Sequence, residues 1–115
     1  MVLYMSFYRI QNRSIPAEQL LDPEYQTSES YSSGAVQAGK SVCWSVEELA
    51  EYFAHSGVPL DPAESVLVEL EGTCSTEDDE DAEYGALLVF PTRIVAVTEI
   101  PDEFYERVDE ILDAA

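Results

Sequence analysis

Between Ser45 and Gly57 the apolar residues fall at Val46, Leu49, Ala50 and Phe53. That i, i+3, i+4, i+7 spacing lays one apolar stripe along a helix. Ser45 and Glu48 stand in the S-x-x-E relation of a capping box, and Gly57 supplies a stop. A helix is therefore predicted here, with Glu47, Glu48 and Glu51 on its outer face. A second stripe, Phe104, Val108, Ile111 and Leu112, follows Pro101 and predicts a helix over 102–113. Asp102, Glu106, Asp109 and Asp113 line its outer face. "SVLVELEG" alternates, with Val66, Val68 and Leu70 on one side and Leu67, Glu69 and Glu71 on the other, the period of a strand. "MVLYMSFYRI" (1–10) is β-branched and aromatic enough for a strand, and Ser41 to Trp44 reads as a short one. "GALLVF" and "RIVAVTE" predict two further strands separated by a turn at Pro91–Thr92. "PAEQLL" predicts a short helix starting at Pro16, and residues 24–40, rich in Ser, Gly, Tyr and Gln, a long loop. The expectation is one α+β domain over 1–115: about five strands in a mixed or antiparallel sheet, with two main helices.

Charge changes this picture more than composition does. The chain has 115 residues, 46% of them apolar, which suits a folded domain with its own core. Against five basic residues stand 24 acidic ones, for a net charge of -19. The excess is uneven. Residues 1–44 hold four acids and three bases, while residues 45–115 hold the other 20 acids with only Arg93 and Arg107. Such asymmetry marks an interaction surface. It repels nucleic acid and anionic membranes, so neither is expected as a direct partner, and it favours a basic protein. No charged-then-apolar leader and no bilayer-length apolar run is present, so a cytoplasmic location is expected. Cys43 and Cys74 could pair, but in that compartment two free thiols are expected. With His55 the one histidine, a structural zinc site lacks ligands, and no metal is expected.

The densest acidity is Glu77, Asp78, Asp79, Glu80 and Asp81. Asp79, Asp81 and Glu83 have the alternate spacing of an oxygen-ligand loop. A calcium loop of the EF-hand type needs Gly sixth and Glu twelfth, but counting from Asp79 those positions fall on Tyr84 and Phe90. No nucleophile-elbow or phosphate-loop motif is present. A Cys43–His55 pair is a poor catalytic candidate, because Cys43 lies in an apolar strand and His55 in the last turn of a helix.

Two resemblances bear on function. The order of "FYRI", then "GKSVCWSVEELAEYF", then "EYGALLVFPTRIVAV" resembles small ADP-ribosyltransferase-like folds, including RES-type toxin domains. The resemblance implies an NAD-using enzyme or its inactive descendant. Arg9 would hold an NAD phosphate, Ser41 or Ser45 would support the nicotinamide side, and Glu83 would stabilise the cationic sugar. By composition the chain also resembles small acidic phage-encoded inhibitors of restriction or CRISPR nucleases, which imitate nucleic acid. Carboxylates at i, i+4 on a helix sit about 6 Å apart, on the scale of phosphate spacing along a strand. This leading expectation is a non-enzymatic protein without cofactor. It would compete with nucleic acid for a basic groove through Glu47, Glu48, Glu51, Glu77 to Asp81, Asp102, Glu106, Asp109 and Asp113. A salt-adapted acidic surface is the plainer reading of the same charge.

Overall fold

The computed structural model describes residues 6–29, 34, 36–76, 79, 82 and 85–114. In chain order these form β1 (Ser6–Asn12), two 3-10 turns (Ala17–Leu21 and Pro23–Tyr25), β2 (Thr27–Glu29), β3 (Val36–Ala38), β4 (Lys40–Val42), α1 (Val46–Ser56), β5 (Ser65–Cys74), β6 (Leu87–Thr98) and α2 (Asp102–Ala114). β1, β5, β6 and β4 make an antiparallel sheet in that spatial order, and β2 and β3 make a separate two-stranded ribbon. The fold is α+β, as the periodicities predict.

The helices form where the sequence places them. Ser45 accepts from the Glu48 backbone N–H at 3.1 Å, and Gly57 ends α1 with φ 77°, in the left-handed region that a side chain would oppose. Leu49 and Ala50 are buried on α1, and Phe104 on α2. Leu112, expected to face inward, is 50% exposed. One residue on from Ile111 is a 100° turn of the helix, which carries Leu112 off the packed stripe.

Two expectations about strands are corrected. Residues 24–40 are not one long loop: β2 and β3 pair within them, Thr27 opposite Ala38 and Glu29 opposite Val36. These three-residue strands are too short and polar to show a period. Nor do "GALLVF" and "RIVAVTE" form two strands about a turn, because β6 runs unbroken through Pro91. The register against β5 steps there, from Glu71 opposite Arg93 to Gly72 opposite Pro91, leaving Thr92 as the extra residue of a bulge. Proline is tolerated at bulges and on free strand edges. The Pro91 carbonyl accepts from Gln26 Nε2 at 2.9 Å, away from β5. In a strand a residue's nitrogen and carbonyl face the same neighbour, so the missing N–H costs the β5 ladder nothing.

Apolar residues pack on both faces of the sheet. On one face Phe7, Val42, Val68, Leu70 and Val89 pack beneath Leu20 of the first 3-10 turn. On the other, Tyr8, Ile10 and Leu67 meet Leu49, Ala50, Ile100 and Phe104 of the helical layer. The alternation of β1 and β5 sorts their residues between the two faces. The sheet curls until its outer strands touch at one bridge: the Tyr8 N–H donates to the Cys43 carbonyl and the Cys43 N–H to the Tyr8 carbonyl, both at 2.9 Å. Beyond that bridge β1 and β4 part. Arg9 spans the gap with its side chain, donating from Nη1 to the Ser41 carbonyl at 3.3 Å.

Candidate functional site

The parting of β1 from β4 opens a cleft of about 260 Å³. Arg9 and Ile10 of β1, Thr27 and Ser28 of β2, Lys40 to Cys43 at β4, and Leu49, Tyr52 and Phe53 of α1 line it, together with Val58 and Ala86. Among the described residues of this lining none is acidic, although 24 of 115 residues in the chain are. One wall is cationic and the other apolar.

Local structure fixes the cationic wall. Gly39 stands at φ 102°, and a Cβ there would lie 3.1 Å from the Val89 carbonyl oxygen, so only glycine turns this corner without strain. The Ser28 hydroxyl donates to the Gly39 carbonyl at 2.9 Å and accepts from the Ser41 N–H at 3.0 Å, which secures the ribbon to β4 on either side of Lys40. Burial pulls the Arg9 guanidinium down to about 10, and Tyr52 opposes this only in part. Burial also lowers Lys40, and the nearby charge of Arg9 lowers it further. Arg9 Nε is buried and makes no hydrogen bond. Desolvation raises the Cys43 thiol to about 12, with Glu48 and Asp79 adding to the effect, so this cleft residue is not a nucleophile. Neither cysteine is in a disulfide.

Behind the cleft the Ser41 hydroxyl donates to Asp79 Oδ2 at 2.7 Å. Asp79 is only 9% exposed. This corrects its expected place on a solvated binding surface: hydrogen bonding lets this carboxylate leave water. The turn after it is closed by the Ala82 N–H donating to the Asp79 carbonyl and the Gly85 N–H to the Ala82 carbonyl, both at 3.0 Å.

The remaining acids divide by position. Glu47 and Glu51 on α1, and Asp102, Glu106, Asp109 and Asp113 on α2, are exposed as expected. Glu103 and Glu110 join them. α1 and α2 pack together, so these carboxylates share one layer. Its arginine is Arg107, held by Glu47 at 2.7 Å and Glu110 at 3.2 Å. Glu48 departs from this face: it is half-buried and its carboxylate leans towards Gly85. Glu77, Asp78, Glu80 and Asp81 lie outside the described residues.

Of the residues implied by the transferase resemblance, Arg9 and Ser41 share the cleft. Ser45 is instead occupied as the cap of α1. Glu83 lies outside the described residues, and the cleft residue just before β6 is Ala86. Sequence reasoning missed Lys40 and Tyr52. A usable signal for Lys40 was present, since it is the one lysine in the chain and follows a glycine. Among the described residues no three His, Cys, Asp or Glu gather in a way that would hold a metal ion, and no helix is long and apolar enough to cross a membrane. Comparison of the chain with protein-family models, with curated proteins and with solved structures finds no match.

Proposed function

We propose that this chain is a cytoplasmic, non-enzymatic binding protein whose acidic helical layer engages a basic protein. The partner is a nuclease or another nucleic-acid-binding protein, and the chain competes with nucleic acid for its basic groove. One observation carries the reading: α1 and α2 lie side by side and turn Glu47, Glu51, Asp102, Glu106, Asp109 and Asp113 to solvent in a single layer. Carboxylates crowded this way repel one another and cost stability. Adjacent carboxylates along a helix stand about 6 Å apart, a spacing that basic side chains built for phosphates can accept.

The test has two stages. Basic proteins retained on the immobilised chain at low salt are purified and titrated with it, with duplex DNA as competitor. The reading expects affinity that falls steeply with salt, displacement of the duplex, and at least tenfold weaker binding when Asp102, Glu106, Asp109 and Asp113 become their amides. Binding insensitive to salt, or unaffected by the four amides, overturns it.

A further inference from the structure

The chain has five cationic side chains besides its histidine. Three are paired with carboxylates: Arg13 with Glu99 at 2.8 Å, Arg93 with Glu71 at 3.3 Å, and Arg107 with Glu47 and Glu110. Arg9 and Lys40 form no ion pair with any described carboxylate, and both line the same cleft. In a chain this acidic that placement works against two forces at once. Each cation loses hydration, which lowers the ionisation of both, and the charge of Arg9 lowers Lys40 further. An arginine used structurally spends its five donors on carbonyls or carboxylates. Arg9 instead makes one 3.3 Å bond to the Ser41 carbonyl and leaves Nε buried and unpartnered. All three penalties are relieved together by an anion arriving between the two side chains.

We infer that the cleft binds a small phosphate ester, its phosphate held between Arg9 and Lys40 and its compact apolar body against Tyr52, Phe53 and Val58. Two adjacent cations suit a dianion better than a single carboxylate. A guanidinium fork beside an ammonium point charge suits phosphate oxygens. The apolar wall accounts for an ester rather than the free ion. The cleft of about 260 Å³ falls just below the range for drug-sized ligands, which starts near 300 Å³, so the body is about one ring in size. This site is separate from the acidic layer, and its test is independent of the partner proposed there.

The test is calorimetric titration at low salt with phenyl phosphate and, as a second probe, inorganic phosphate. The expected result is saturable one-to-one binding of phenyl phosphate, weakened at least tenfold by Arg9→Gln and severalfold by Lys40→Gln. The thermal midpoint of Arg9→Gln should be unchanged or raised, because a desolvated, uncompensated charge has been removed. A structural arginine would lower that midpoint instead. Lys40 is half-buried on a strand edge, so its variant keeps the site testable should Arg9→Gln fold poorly. Equal affinity for the two probes overturns the assignment to an ester. No binding of phenyl phosphate at about 10 mM, or binding that both variants retain, overturns the site.

Discussion

The Ser41 hydroxyl donates a 2.7 Å hydrogen bond to the carboxylate of Asp79, joining a strand at the sheet edge to the middle of the most acidic stretch of the chain. One acid of that stretch is thereby an internal tether. Removing either partner leaves the other under-satisfied in a part-buried place. Ser41→Ala should therefore cost about 1.5–3 kcal/mol, the range for a hydrogen bond to a charged group. Asp79→Ala should cost a similar amount, and the double variant less than the sum. Urea denaturation measures all three. A Ser41→Ala loss below about 0.5 kcal/mol would show the tether to be unimportant for stability.

The cap of α1 gives a second prediction. Ser45 accepts from the Glu48 N–H at 3.1 Å, so Ser45→Ala should lower stability by about 1 kcal/mol and Ser45→Asp should restore most of it. If Ser45 had a role at the cleft, phosphate-ester binding would fall in both variants. With the serine only a cap, binding is unchanged in both.

The two thiols should differ sharply. Cys74 is exposed, whereas Cys43 is buried and its ionisation is pushed up to about 12. At pH 8 a disulfide-exchange reagent should titrate one thiol per folded chain quickly and the second only in denaturant. Two fast thiols would mean that the sheet seam at Cys43 opens readily.

Salt and pH should act in opposite directions on different parts of the surface. With net charge -19, screening relieves more repulsion than attraction, so the thermal midpoint should rise between about 20 mM and about 0.5 M NaCl. Hydrogen bonds from Arg13 hold Glu99 below the usual carboxylate range. A lowered folded-state value means that the contribution of Glu99 is present above its unfolded value, about 4.3, and fades as pH falls through the folded one. Glu99→Gln should thus be the less stable protein at pH 7, with the gap closing below about pH 4. Thermal scans across pH read this directly, and a gap that stays constant down to pH 2 would refute it.

α1 was legible because an amphipathic period, a serine cap and a glycine stop agree with one another, and α2 and the strand at 65–71 because their apolar periods run over enough residues. Arg9 and Ser41 were legible as candidates through a resemblance in motif order. What joins them in one cleft was not, because it depends on where two strands distant in sequence stop pairing. Lys40 stood out as the one lysine, but its place in that cleft was hidden for the same reason and follows from Gly39 turning the chain at φ 102°. The inward turn of Asp79 had no local signal, since it looks like each of its acidic neighbours until Ser41, 38 residues earlier, is brought beside it. Pro91 misled because a proline at a turn and a proline at a bulge read alike without the partner strand.

That proline has a consequence for solubility. Past the short pairing with β4, the outer edge of β6 carries Val95 and Val97, 38% and 47% exposed, as an open sheet margin would in an aggregating protein. A neighbouring chain that tried to extend the sheet there would find no donor at Pro91, and an acceptor already taken by Gln26. One imino acid in the longest strand therefore helps keep this sheet from growing beyond a single molecule.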